Sequence, residues 1–454
     1  MANIQHEQFT SRTAFALAAI GCAVGLGNVW RFPYLTGVSG GAAFLLVYLI
    51  CVLVIAIPLL MAEIMIGHRG RQSPQNSMLR LSVENNCSRK WRAVGWIGPI
   101  AVFLILSYYS VVAGWTLDYI VTSLLGGFEH IDGDDSQQRF NSLLANPARL
   151  SLWHTVFMAL TCVVSSLGVT KGIERATSLL MPLLFAILLL IVVYSLMEGS
   201  VDSAIRFLFE VDFDKIDAKV VLAAIGQAFF SMGIALGTMM TYGAYLSKNA
   251  SIPRLSGIIV VADTGVSLLA GLAIFPIVFA HGLDPAEGPG LIFVTLPIAF
   301  GNMTGGAIVG LLFFLLLFFA AFTTSLASVE PIATWLMEEK SLSRKSAVMI
   351  TTTAVWAFGF LSLFSFNIWA DLTPLGMFTS FEDKNFYGII EDVSANLMMP
   401  IGGILVAVFA GWKMSNASIK EELGISGIGY KLWHVLIKYF VPIFVSLILF
   451  YSFM

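Results

Sequence analysis

Apolar residues gather in eleven long blocks along the 454-residue chain. A helix of about 20 apolar residues crosses the hydrocarbon core of a bilayer. Only 12% of the residues are charged, about half the share found in a soluble domain. The sequence therefore predicts an all-α polytopic membrane protein. The predicted spans are residues 13–38, 41–68, 93–126, 152–168, 174–197, 219–246, 254–281, 304–337, 345–368, 390–412 and 432–453.

The rest of the chain offers few signs of another class of protein. A shorter apolar stretch, Leu291–Phe300, lies between two prolines and is predicted to be a re-entrant or loop helix. The first block lacks the small-residue pattern of a cleavage site, so we expect a span and not a signal peptide. The four cysteines lie in three apolar blocks and one basic loop, which predicts no structural disulfide. No nucleophile–base cluster or metal-ligand spacing indicates an enzyme, and we expect no nucleic-acid partner.

Basic residues are concentrated in alternate loops, those that follow spans two, four, six, eight and ten. Acidic residues dominate the loops on the other side. This positive-inside pattern places the N-terminus in the cytoplasm and, with eleven spans, the C-terminus outside. We expect a multi-pass protein of the cell membrane. Short outer loops without a cysteine pair favour a bacterial source, and the sequence indicates no oligomeric state.

Two spans are interrupted by glycines in mid-membrane, at Gly21–Asn28 in the first and Ser231–Thr238 in the sixth. Each glycine weakens a helix by about 1 kcal/mol relative to alanine. Backbone left open at membrane depth is tolerated only where it lines a cavity. The breaks lie five spans apart, and this odd number inverts the second unit relative to the first. Glycine packing between helices is the simpler explanation for either stretch alone, but the pair indicates a transporter's binding site.

The run Gly25–Tyr34, GLGNVWRFPY, resembles the first-span signature of the neurotransmitter:sodium symporter family. Gly226–Ser231 is similar to the sixth span of that family, Ala320–Ser325 to the eighth, and Leu342–Lys345 to the start of the ninth. The resemblance covers nearly the whole chain, although many members have twelve spans and this chain has eleven. It implies a LeuT-type five-plus-five inverted repeat with broken helices 1 and 6.

The resemblance also implies how the chain is divided. Residues 1–12 would form a cytoplasmic tail, 13–197 the first repeat with spans 1 to 5, and 198–218 an extracellular loop. Residues 219–412 would form the second repeat with spans 6 to 10, and 413–454 a cytoplasmic loop and span 11.

Two sodium ions are expected from the same resemblance. One site would use backbone oxygens of Gly21, Val24 and Ala320 with the hydroxyls of Thr323 and Thr324. The other would use Ala23, Asn28, Ser231 and Asp263, with the substrate carboxylate completing it. The two threonines lie on the helix face of Ala320, although such hydroxyls commonly bond to their own helix backbone.

Asp263 is a single acid within the apolar seventh span. A carboxylate at this depth is costly and is functional by default. Chloride-dependent relatives resemble this chain at Tyr48, Gln227, Ser231 and Ser267, the positions of their anion site. Because Asp263 lies one helical turn before Ser267, we predict that its fixed charge replaces chloride. Glu63, the other deep acid, is expected beside the break in span 6, whereas Asp118 and Glu330 are given no role.

Gly25 stands where monoamine transporters of the family carry an aspartate for the substrate amine. A zwitterionic amino acid is therefore the expected substrate. Tyr109, or less favourably Tyr108, would bind its carboxylate. The small residues in the lining predict branched and aromatic side chains. The substrate-binding residues expected are Ala23, Leu26, Gly27, Ile105, Tyr108, Tyr109, Phe230, Ser231, Gly233, Leu236, Thr324 and Ser328.

Gates are expected on both sides of this site. Arg31 would pair with Asp392, or alternatively Glu391, on the outer side. Arg12, Tyr245 and Glu338 would close the inner path. Pro182 removes a backbone hydrogen bond inside span 5, so the stretch Gly172–Met181 is predicted to unwind and admit water to the sodium site, a static kink being the alternative.

The sequence thus predicts a sodium-coupled symporter of hydrophobic L-amino acids that works by alternating access in a lipid bilayer without chloride. Two other functions stay open: a proton- or sodium-coupled permease of a related five-plus-five family, and a membrane sensor that binds an amino acid without transporting it.

Overall fold

The computed structural model describes residues 7–284 and 290–451, and the regular structure within these ranges is helical. Nine helices of the described residues are long and apolar enough to cross a membrane, or ten when the bent N-terminal pair is one span. Residues 1–6 of the predicted tail and 452–453 of the last predicted span lie outside the described ranges. Each predicted span corresponds to a helix or a pair of helices.

Numbered in chain order, the spans are 1a Arg12–Ala23, 1b Gly27–Val38, 2 Ala42–Gly70, 3 Arg89–Leu124, 4 Pro147–Ser166, 5 Val169–Glu198, 6a Ala218–Ser231, 6b Thr238–Tyr245, 7 Ile252–Ala280, 8 Gly306–Lys340, 9 Arg344–Phe364, 10 Phe386–Lys413 and 11 Gly427–Leu447. The connecting helices are Pro74–Glu84, Gly133–Leu144, Val201–Phe209, Leu291–Asn302 and Asn416–Leu423. Helices 6a and 6b are each too short to cross a membrane alone, and only the two together correspond to the predicted span 6.

Prolines shape several of these helices through one local effect. A widened turn of π-helix ends two residues before each of Pro33, Pro58, Pro297, Pro400 and Pro442. Proline has no N–H to donate, and its ring crowds the carbonyl four residues earlier. Widening the preceding turn relieves this clash. The short helix Leu291–Asn302, predicted as a loop helix, bends in this way.

Pro182 lies inside span 5, where the α-helix Arg175–Glu198 continues through it. The preceding turn, Val169–Glu174, is a π-helix. The stretch Gly172–Met181 is therefore helical in this structure, and its unwinding stays a prediction for another conformation.

The packing places span 1 at the centre of the molecule. Span 1a lies against spans 5, 7 and 8, span 8 packs along span 3, and span 6b packs against span 2. Most buried side chains form one large apolar core, and a small second cluster of Ala204, Leu208 and Phe275 lies apart from it. Three acids, Glu63, Asp263 and Glu330, are completely buried within the large core. Because an unpaired buried carboxylate is costly, the contacts of these acids point to the working parts of the protein.

Candidate transport site at the two helix breaks

The first break separates span 1a from span 1b and bends their axes by 51°. The α-helix ends at Ala23, and Val24 is extended. The freed amides are bound by side chains: Gly25 N donates to Asn28 Oδ1 at 2.9 Å, and Leu26 N donates to the Tyr109 hydroxyl at 3.2 Å. The break is therefore a defined structure with satisfied amides.

The second break occupies residues 232–237. Gly233, Ala235 and Gly237 have φ of 58°, 66° and 73°, in the left-handed region. This conformation costs roughly 1–2 kcal/mol for a residue with a Cβ. Ala235 N donates to Glu63 Oε1 at 2.8 Å. A hydrogen bond to a carboxylate is stronger than one between neutral groups, so Glu63 stabilises the strained turn.

A cavity of about 40 Å³ lies between the two breaks. Eleven of the twelve predicted substrate residues line it. They are Ala23, Leu26, Gly27, Ile105, Tyr109, Phe230, Ser231, Gly233, Leu236, Thr324 and Ser328. Tyr108 instead lines a second, outer cavity. Cys22, Leu106 and Thr238 also line the first cavity, and the sequence reasoning missed them because each is an ordinary residue on a helix that other residues already marked.

The predicted first sodium site brings oxygen atoms of spans 1a and 8 together. Thr324 Oγ1 lies 3.3 Å from both Gly21 O and Val24 O and donates to them. Thr323 Oγ1 donates to its own helix, to Phe319 O at 3.0 Å and Ala320 O at 3.2 Å. These are hydroxyl and carbonyl oxygens, the ligands that hard cations prefer. The donor set thus fits a dehydrated sodium ion.

The predicted second site is organised by Asp263. Asn28 Nδ2 donates to Asp263 Oδ1 at 2.7 Å and to Asp263 O at 3.1 Å. Ser231 Oγ donates to Asp263 Oδ2 at 3.1 Å. The Asn28 side-chain nitrogen also lies 3.0 Å from Ser267 Oγ. Three of the predicted ligands, Asn28, Ser231 and Asp263, therefore form one buried cluster. Ala23, the fourth, ends span 1a and lines the same cavity as Ser231.

Two further side chains of the predicted anion site flank this cluster. Gln227 Nε2 donates to Gly27 O at 2.7 Å, and its Oε1 has no hydrogen-bond partner among the described residues. Tyr48 is completely buried, with Asp263 as a charged neighbour. The Asp263 carboxylate thus lies among the residues that resemble the family's anion site.

Comparison with known proteins identifies the group to which this architecture belongs. The model of the family described as "Sodium:neurotransmitter symporter family" matches residues 6–142 and 138–454. Together these two matches cover nearly the whole chain. The chain belongs to the sodium:neurotransmitter symporter family. It is a membrane transporter and not an enzyme.

Individual members of the family match over almost their full length. An uncharacterized sodium-dependent transporter, YhdH of Bacillus subtilis, is 34% identical over 97% of this chain and 96% of its own. An uncharacterized sodium-dependent transporter of Haemophilus influenzae is 30% identical over 98% of both chains. The crystal structure of MhsT in complex with L-phenylalanine matches with a TM-score of 0.90 and 36% identity, over 99% of this chain and 100% of that one. The predicted LeuT-type fold is thereby confirmed.

On the predicted outer side, this symporter has a wider cavity of about 350 Å³. Leu26, Gly27, Tyr109 and Phe230 line both this cavity and the smaller one, and so form the partition between them. The Arg31 guanidinium lies 4.6 Å from the centre of the Phe230 ring. A cation over an aromatic face is attracted by the ring, so Arg31 holds Phe230 over the smaller cavity.

The outer ion pair differs from the preferred prediction. Asp392 contacts Lys384 and accepts a hydrogen bond from Asn396 Nδ2 at 2.8 Å. Glu391, the alternative partner, lines the outer cavity together with Arg31. Neighbouring residues on a helix point in directions about 100° apart, so only one of the two acids faces the cavity. In this structure Asp392 therefore pairs with Lys384 and not with Arg31, and Glu391 is the acid that shares the outer cavity with Arg31.

On the predicted inner side, the three gate residues contact three different elements. Arg12 donates to Asn249 O at 2.8 Å. Tyr245 donates to Glu330 Oε2 at 2.8 Å. Glu338 accepts from Ser73 N at 2.7 Å. The inner ends of spans 1, 6 and 8 are thus tied to their neighbours by separate contacts.

Glu330, to which the sequence assigned no role, is the centre of the buried inner network. It binds Tyr245 and forms an ion pair with Arg344, whose nitrogen lies 2.6 Å from Glu330 Oε1. Phe9 packs against Phe15 and the ring of Tyr242 on the same side. An acid near the inner end of an otherwise apolar predicted span was the signal available for Glu330. Arg344 begins the next span, but Tyr245 comes from span 6, which is distant in sequence.

Proposed function

We propose that this protein is a sodium-coupled symporter that imports branched and aromatic L-amino acids by alternating access, without chloride. Two sodium ions would bind at the oxygen clusters around Thr324 and Asp263. The observation that carries the proposal is the cavity between two interrupted spans, with oxygen clusters beside it. Family membership and the match to a relative solved with L-phenylalanine support an amino-acid substrate.

The arrangement of polar groups suits a zwitterion. The Tyr109 hydroxyl reaches the cavity and accepts from Leu26 N, so it can turn its own hydrogen toward a carboxylate. None of the residues that line the cavity is acidic. A substrate ammonium would therefore bind to backbone carbonyls at the breaks, the kind of group that coordinates cations in other carriers with discontinuous helices. An extra positive charge on the substrate would have no counter-ion.

The space for the substrate side chain lies beside Gly233. A Cβ built on Gly233 would have its nearest neighbours at 3.9–4.0 Å, which is ordinary van der Waals contact, so this side of the cavity has room for a further carbon atom. The opposite end is tight, since a Cβ on Gly25 would come within 2.8 Å of Thr324 Oγ1. Ile105, Leu236 and Phe230 supply apolar walls. These features support large hydrophobic side chains over glycine or charged ones.

Chloride independence is supported by the position of Asp263. Its carboxylate accepts from Ser231 and Asn28, and a chloride ion would have to share that space with a fixed negative charge. Two like charges close together in a buried site repel strongly. One negative charge is enough to balance a nearby sodium ion.

The two cavities support alternating access. The wider one lies on the predicted outer side, above the partition of Tyr109 and Phe230, whereas the inner side is closed by the network of Glu330. We propose the orientation with the N-terminus in the cytoplasm, and the division into repeats 13–197 and 219–412 that rock against each other around the site. Unwinding at Gly172–Met181, beside Pro182, would release the first sodium ion inward. Met181 Sδ would lie 3.1 Å from a Cβ on Gly21, so span 5 covers that site.

Uptake of labelled leucine into proteoliposomes tests this function. We expect uptake driven by an inward sodium gradient, and equal uptake when gluconate replaces chloride. Unlabelled tryptophan and isoleucine should compete, and glycine and glutamate should not. Uptake that is independent of sodium would favour a permease of another type, and binding without uptake would favour a sensor.

A further inference from the structure

A separate groove opens at the predicted cytoplasmic ends of spans 10 and 11, with a volume of about 590 Å³. Its lining includes Gly411, Trp412, Ser415, Asn416, His434 and Lys438. None of them lines the substrate cavity or the outer cavity. The groove therefore needs an explanation of its own.

Among the described residues that line this groove, Lys438 is the only lysine or arginine. It is half-buried on span 11, close to span 10: a Cβ on Gly411 would lie 2.9 Å from Lys438 Cα. Within the described ranges no carboxylate lies within 4 Å of its ammonium. By contrast, the Arg149 and Arg344 side chains contact Asp118 and Glu330. Lys438 thus brings a positive charge into a groove that supplies no counter-ion.

The surrounding sequence adds further positive charge. Residues 409–438 contain four lysines, Lys413, Lys420, Lys431 and Lys438. The two acids in this stretch, Glu421 and Glu422, are both bound to Arg69. Four lysines against two acids leave the stretch with two more positive than negative side chains, and both acids lie against Arg69.

The groove is also surrounded by the residue types expected at a membrane interface. Trp412 and Tyr439 are both 49% exposed, and such aromatic residues are enriched where the bilayer meets water. Span 11 also carries exposed apolar side chains on both sides of Lys438 along the helix, Leu432 before it and Phe440 after it. On the other side the groove is bounded by the polar residues Ser415 and Asn416. His434 Nε2 donates to Gly411 O at 3.1 Å and ties the two spans together.

From these observations we infer that the groove binds the phosphate group of an anionic phospholipid, with Lys438 as its charged ligand. The headgroup would lie between Lys438 and the polar loop, and the acyl chains would follow the exposed face of span 11. Basic pockets between spans on the cytoplasmic side recognise lipid headgroups in this way. A lysine that only extends to water would give no preference among lipids.

The test counts lipids bound to the purified full-length protein by native mass spectrometry. Phosphatidylglycerol and phosphatidylcholine are added in separate titrations to wild type, Lys438→Ala, Lys438→Arg and Lys431→Ala. Lys431 is an exposed lysine on the same helix that does not line the groove, so it controls for general surface charge. Lys438→Arg keeps the charge and shows whether the position tolerates substitution. Elution of each variant as a single species checks its fold.

We expect wild type, Lys438→Arg and Lys431→Ala to prefer phosphatidylglycerol. Lys438→Ala should bind this lipid about five-fold more weakly, the factor expected for one lysine near an anionic surface. Equal binding of the two lipids by wild type, or unchanged binding by Lys438→Ala, would overturn the inference. Inorganic phosphate forms a third arm: if millimolar phosphate displaces the phosphatidylglycerol completely, the ligand is a free anion and the lipid assignment is wrong.

Discussion

The two helix breaks differ in how their backbone is held. The first is short, and its freed amides are bound by uncharged side chains, Asn28 and Tyr109. The second spans six residues, three of them left-handed, and is held by the carboxylate of Glu63. Carbonyls of the first break face the Thr324 hydroxyl, whereas the second leaves room for a Cβ at Gly233.

This difference indicates a division of labour. We propose that the first break offers oxygen atoms to a cation, and that the second determines the shape that the substrate side chain meets. Sodium affinity and side-chain selectivity should therefore be separable by substitution, even though both breaks line one cavity. Substitutions at Asn28 and at Gly233 should therefore have different effects.

The largest effect is expected at the first break, from Asn28→Ala. The substitution removes the acceptor of Gly25 N and a donor to Asp263, and leaves both groups buried without that partner. Each such loss costs about 1–3 kcal/mol, so sodium-driven leucine uptake should fall by roughly 100-fold or more. Initial rates in proteoliposomes measure this change.

Asn367→Ala is the matched control for Asn28→Ala. The Asn367 amide also donates to two carbonyl oxygens, Leu144 O and Leu363 O, but it lies away from the cavity. It should leave sodium-driven uptake nearly unchanged. Asn28→Ala activity within a few-fold of wild type would show that the first break does not depend on this amide.

A smaller, selective effect is expected at the second break, from Gly233→Ala. The new Cβ would enter the open side of the cavity, so tryptophan should lose roughly ten-fold in competition relative to alanine. The left-handed backbone adds about 1–2 kcal/mol of strain, but this strain is common to both substrates and cancels in their ratio. The sodium concentration for half-maximal alanine uptake should change little.

Gly226→Ala provides the comparison within the same span. Gly226 lies in helix 6a, and a Cβ there would meet nothing within 4 Å. It should leave the ratio of tryptophan to alanine as in wild type. If Gly233→Ala changed sodium dependence and left the substrate ratio unaltered, the proposed division between the breaks would be wrong.

Much of this architecture follows from local sequence. Long apolar blocks predict the spans, and glycine runs flanked by polar residues predict the two breaks. The positions of Asn28 and Asp263 follow from the family resemblance, and the structure brings their side chains into contact.

Other features depend on packing that the sequence does not display. Ala235 adopts a left-handed conformation although it is not glycine, because Glu63, a residue far away in sequence, binds its amide. The sequence is equally unable to show which of two adjacent tyrosines faces the substrate cavity. Tyr109 lines the inner cavity, whereas Tyr108 lines only the outer one, because only the rotation of span 3 decides which of the two faces the breaks.

The central claim is that the two breaks together form one sodium-dependent amino-acid site. Equilibrium binding of labelled leucine to the purified protein, measured against sodium concentration, tests it most directly. We predict saturable binding that rises cooperatively with sodium and is absent when potassium replaces it. Equal leucine binding in sodium and in potassium, or no binding at any sodium concentration, would contradict this account.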